Sequence, residues 1–185
     1  VDLLLGFVLG LGLAAAAGFR IFVPFLLVSI AAYTGHLELS ETFAWVGSPT
    51  ALIMFAVATL LEIVAFFVPW LDNVLDSLAV PASVVCGTLL MALALFDADP
   101  LFKWSVAIIA GGGTAGIIQG ATAGLRLGST ATTGGSANPL LSGAETAGAV
   151  ILGVLALLVP LLAGALVLLM FYFVARKLLR RLARS

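Results

Sequence analysis

Charge is what this sequence has least of. Eight Lys and Arg and nine Asp and Glu are spread over 185 residues, 9% of the chain, where a water-soluble domain carries about 25%. So sparse a distribution leaves no basic arm for nucleic acid and no acidic tail. The single cysteine, Cys86, excludes an intramolecular disulfide. The single histidine, His36, stands in an acidic stretch, and no Cys or His has ligand spacing to the carboxylates. Neither a transition metal nor a cofactor is therefore expected. Nucleophile-elbow and metallopeptidase motifs are missing, and the serines have no evident base, so no catalytic residue is nominated and enzyme activity is not expected. Asp2 stands where a secretory signal carries basic residues, so the first apolar stretch reads as part of the domain.

What the sequence has is apolar length. Hydrophobic residues make up 63% of it and the mean hydropathy is +1.27. They fall into blocks comparable to the roughly 20 residues that cross a bilayer as helix. Backbone amides in lipid must be satisfied within the segment, so each block is expected to be helical. The fold class is all-α: a polytopic transmembrane helical bundle with broken or re-entrant helices, filling residues 1–185 as one integral membrane domain.

The blocks are unequal. Residues 3–33 are too long for one straight crossing and are interrupted by Gly18, Arg20 and Pro24. Proline lacks the helix donor and clashes with the preceding turn, so a re-entrant hairpin, two thin spans or one strongly bent helix is expected. Residues 35–49, with His36, Glu38, Glu41 and Trp45, read as an interfacial loop. Spans follow over residues 50–68 and 78–96, separated by Pro69 and an acidic turn at 70–76. The Asp97–Pro100 turn closes the first half. A block from Lys103 to Leu127 contains Gly111, Gly112 and Gly113, then Gln119 and Arg126; a Ser-, Thr- and Gly-rich loop covers 128–138, and a last block with Pro160 runs over 145–174. Halves 1–99 and 100–175 look alike: residues 17–21 resemble 115–119, and 67–71 resemble 158–162. If the first half crosses an odd number of times, an internal repeat would be inverted.

Five cations, Arg176, Lys177, Arg180, Arg181 and Arg184, crowd the tail at 176–185. An excess of Lys and Arg marks the cytoplasmic side, so the C-terminus is expected in the cytoplasm. The tail is either a plain topology anchor or a patch for lipid headgroups.

Arg20 is the sharpest candidate. A buried arginine in a membrane must pair, snorkel or meet water, and such residues mark functional sites by default. Glu62 is its expected partner, as a structural ion pair or as part of a solute path; Gln119 is expected to face the same interior. Asp72 and Asp76, four residues apart, share a face if helical and either hold a cation or cap a loop. The glycines at 111–113 either pack helices closely or unwind to present backbone groups to an ion. Asn138 and Glu145 follow the polar loop and are further ion- or solute-binding candidates, although Ser142 with Glu145 also fits a helix-capping box.

Together, Gly18-Phe19-Arg20 with Pro24, Glu62 with Pro69 and the Asp72 to Asp76 segment, and Gly134-Gly135 with Asn138-Pro139 and Glu145 resemble one family. It is a family of small bacterial membrane proteins catalogued as domain of unknown function four-one-two-six, and the likeness covers nearly the whole chain. The resemblance implies a membrane location, here the bacterial cytoplasmic membrane, and a compact helical domain; it brings no substrate and no catalytic residue. From the polar interior that Arg20, Glu62, Gln119, Asp72 and Asp76 would build, the chain is expected to be a small transporter or channel-like protein for a solute or ion, and so short a wall suggests a homo-oligomer, most simply a dimer. A non-transporting scaffold or assembly protein is the second expectation, and a membrane-embedded enzyme acting on lipid the third.

Overall fold

A computed structural model describes residues 3–65 and 69–182, with all their side chains except those of 69–77, 178, 181 and 182. These residues form α1 (Leu3–Phe19), α2 (Phe22–Tyr33), a 3-10 helix (Glu41–Gly47), α3 (Pro49–Ala65), α4 (Pro69–Ala94), α5 (Pro100–Val106), a π-helical turn (Ala107–Gly112), α6 (Gly113–Thr133), α7 (Asn138–Leu158) and α8 (Pro160–Leu182). Among the described residues there is no strand. Proline writes the boundaries. Six of the seven stand in the first turn of a helix, where the missing amide hydrogen would have had no partner. Only Pro81 lies inside one.

The sequence of α1 is nearly all Leu, Gly and Ala, with no polar face. A helix apolar on every side belongs in the middle of a bundle. It does stand there, packed by α4, α6, α7 and α8, with Ala14, Ala15, Ala16 and Ala17 fully buried. Its neighbours' directions follow from the contacts. Gly10 meets Met91 and Gly6 meets Ala94, so α4 is antiparallel to α1. Gly18 meets Ala115 and Ile118 while Gly111 meets Met91, so α6 is parallel. Gly148 faces Phe19, Gly153 faces Ala16 and Gly12 faces Ala156, so α7 runs back down. Gly12 also meets Ala163, and Val8 meets Gly164, so α8 continues in the direction of α7 past the Val159–Pro160 break. The start of α1 and the end of α8 therefore lie at the same end of the bundle.

The first apolar block is a helical hairpin. The apex is Arg20–Ile21, and Leu27 of α2 has returned to the level of Gly153 and Ala16. From there α3 climbs back, with Phe25 stacked on Phe55 at 5.2 Å and Glu62 level with Ile21. Helices α1 to α4 thus make four runs of alternating direction, and α1 and α6 run the same way rather than inverted. The two similar segments at 17–21 and 115–119 instead touch each other through Gly18.

Helices extend further than the sequence suggested. The stretch 70–76 is the opening of α4 rather than a turn, and α6 reaches Thr133, which leaves only 134–137 as a connection. Gly134 and Gly135 take φ of 63° and 86° there, left-handed values that suit glycine. Of the glycines at 111–113, Gly111 and Gly112 pack while Gly113 faces open space: a methyl group on Gly111 would come 2.5 Å from the Gly87 carbonyl oxygen, so α4 and the π-helical turn touch backbone to backbone.

Three helices, Pro100–Thr133, Asn138–Leu158 and Pro160–Lys177, are long and apolar enough to cross a membrane; the pair Glu41–Gly47 and Pro49–Ala65, bent by 65°, passes together as a fourth. Their outward faces carry exposed Leu101, Ile109, Leu127, Leu140 and Leu158. So much exposed aliphatic surface fits lipid, not water.

Candidate functional site

Four elements converge on the hairpin apex. Breaking the helix at Arg20–Ile21 frees the first amides of α2, which no intrahelical carbonyl can satisfy. Glu62 of α3 takes them: its Oε1 accepts from the Ile21 amide at 2.8 Å and its Oε2 from the Phe22 amide at 3.1 Å. A carboxylate is well placed there, because the helix N-terminus carries partial positive charge.

Arg20, 1% exposed, points the other way, into α7. Its Nε donates to Thr146 Oγ1 at 3.0 Å, and its Nη2 donates to the Ser142 carbonyl at 3.0 Å and to the Ser142 hydroxyl. Nη2 also stands 3.6 Å from Glu145 Oε2. On the far side of that carboxylate is Arg126 of α6, whose Nε donates to Glu145 Oε1 at 3.1 Å and whose Nη2 donates to Oε2. One carboxylate thus lies between two guanidinium groups, all three side chains buried. The Glu62 carboxylate also feels the charge of both arginines.

Several expectations change. Glu145 stands within 3.6 Å of Arg20, while Glu62 gives both oxygens to the helix end that the break creates and meets Arg20 through its charge. Ser142 and Glu145 form no capping box: α7 starts at Asn138, so both lie inside it and face Arg20. Asn138 lies at the α6–α7 turn, its Nδ2 donating to Thr130 Oγ1 at 3.0 Å, away from the cluster. Gln119 is buried on α6, one and two turns before Thr122 and Arg126, and no described residue hydrogen-bonds its side-chain amide. The Asp72 and Asp76 side chains, and those of Arg181 and Arg184, lie outside the described residues.

Sequence reasoning missed Arg126, Ser142 and Thr146. The signal was present: Gln119, Thr122 and Arg126 recur at helical spacing, and so do Ser142, Glu145 and Thr146. Arg126 passed for the end of a block because a polar stretch seemed to begin at Gly128.

A groove of about 520 Å³ lies between α3 and α7. Its walls are Ile63, Pro139, Gly143, Ala147, Val150 and Ile151, and it reaches Ser142 and Thr146, the partners of Arg20.

A helical bundle faced with aliphatic side chains, enclosing a network of buried charges around a broken helix, defines an all-α integral membrane protein. The model of the family described as "Domain of unknown function (DUF4126)" matches residues 7–180, and the chain belongs to that family. A search of curated proteins finds no match, and a search of solved structures finds none.

Proposed function

We propose that this membrane protein is a small transporter or channel-like protein whose solute or ion passes the hairpin apex at Arg20, Glu62, Glu145 and Arg126. The observation that carries this reading is the helix reversal itself. A break inside a membrane domain leaves backbone groups to be satisfied, and transporters use such discontinuous helices to hold ions and anionic groups at their half-helix ends. Here the end of α2 already holds a carboxylate, Glu62, which is only partly buried and next to the α3–α7 groove.

The depth of the cluster supports access from one face. Exposed Trp104 and Tyr172 lie at the Leu3 end of the bundle, where aromatic residues mark the headgroup level. The apex is a full helix away, about 25 Å by helical rise, in a hydrocarbon core of about 30 Å. With the basic tail in the cytoplasm of a bacterium, both termini are cytoplasmic and the apex lies toward the outer face.

A scaffold remains the second reading, favoured by the near-complete burial of Arg20 and its tight bonding to α7. The test is flux of ions and small solutes into proteoliposomes, comparing the intact protein with Arg20→Ala and Glu62→Ala after both are shown to be folded. Flux that either change abolishes supports a path through the apex. No flux for any solute, with both variants destabilised, overturns it in favour of a scaffold.

A further inference from the structure

The cations of α8 play no part in the apex. After Glu145 the sequence contains no Asp or Glu, so nothing in the last stretch of chain neutralises them locally. Val8 meets Gly164, and the eight residues from there to Tyr172 rise about 12 Å, which brings Tyr172 to the Leu3 end of the bundle. Arg176 and Arg180 follow at one and two further turns on the same face. Both are exposed, as is Lys177, and no ion pair joins any of the three to a described residue. At the same bundle end, Asp99 is committed to the Leu101 and Phe102 amides, and Asp97 has an interaction of its own.

Tyr172, Ala175, Arg176, Leu179 and Arg180 line a shallow groove of about 370 Å³. Its composition is graded. Tyr172 belongs at the headgroup boundary, Ala175 and Leu179 offer apolar contact, and two guanidinium groups one turn apart suit a phosphate, which arginine grips in bidentate fashion. We propose that this face of α8 is a binding site for the headgroup of an anionic phospholipid, with the phosphodiester between Arg176 and Arg180 and the acyl chains running back along the exposed aliphatic surface of α8. The occupant is a lipid because the charges stand directly past the apolar part of a membrane-crossing helix, where the bilayer supplies phosphate at the required depth.

Native mass spectrometry of the full-length detergent-purified protein, titrated with phosphatidylglycerol or phosphatidylcholine, tests this. Phosphatidylglycerol is expected to be retained in preference to phosphatidylcholine, and the Arg176→Gln/Arg180→Gln variant to bind it roughly tenfold more weakly. Thermal unfolding of the lipid-free variant should match the parent, since both side chains are exposed. Lys103→Gln, at the same bundle end but on α5, should leave retention unchanged. Equal retention of the two lipids overturns the proposal, as does phosphatidylglycerol binding that survives the double substitution or that Lys103→Gln abolishes. Inorganic phosphate competing as well as the lipid would also overturn it, by showing a free-anion site.

Discussion

Glu62 and Glu145 are the same residue type at the two sides of one hairpin apex, and they do different work. Glu145 sits on α7 between two guanidinium groups and is almost fully buried. Glu62 sits on α3, partly exposed, with both oxygens on backbone amides. The first ties α1, α6 and α7 together through side chains. The second closes the end that the chain reversal opened. The contrast shows that a carboxylate in a membrane is used by whatever donor geometry leaves unsatisfied, and that sequence proximity to an arginine is a poor guide to which one.

The largest expected effect is at Glu145. Removing one partner of a buried ion pair leaves the other charge in a low-dielectric interior, at a cost of about 3–5 kcal/mol. Glu145→Gln should therefore lose stability of that order in denaturant titration of the purified protein; a loss no larger than that of Glu62→Gln would erase the contrast. A double-mutant cycle sharpens it. Arg126→Met and Glu145→Met, singly and together, should show a favourable coupling of about 0.5–3 kcal/mol, because the double variant leaves neither charge behind at that contact. Additive losses would mean that the pair is not a unit. At Glu62 the glutamine variant keeps one acceptor oxygen and loses the charge facing the helix end, so Glu62→Gln should cost about 1–2 kcal/mol. Smallest is Asn138→Ala. Its hydrogen bond to Thr130 lies at the turn, outside the cluster, and the change should stay within about 0.5 kcal/mol.

Much of the bundle was legible in the sequence, because membrane helices announce themselves by apolar length and prolines by position. Pro49, Pro69, Pro100, Pro139 and Pro160 each open a helix, and the interruption around Arg20 is a true reversal. What misled was polarity. Ser, Thr and Gly at 128–133 read as loop, yet their hydroxyls donate to carbonyls one turn back, Thr132 to Gly128 and Thr133 to Ser129, and the helix continues. That misplaced helix end hid Arg126 and left Glu145 at a supposed helix start. The partner of Arg20 was illegible for a different reason. That Glu145 reaches it depends on how α7 descends beside α1, a packing fact set by Gly12, Gly148 and Gly153 and not by any local pattern.

The central claim is that the apex serves passage of a solute and not only the bundle's architecture. Glu62→Gln separates the two most directly, because it removes a partly exposed charge at modest structural cost. The measurement is proteoliposome flux of Glu62→Gln against the intact protein, at matched folded fraction, for whichever ion or solute the intact protein carries. The account predicts a folded variant whose flux is lost. A folded variant that transports at the parental rate would contradict it.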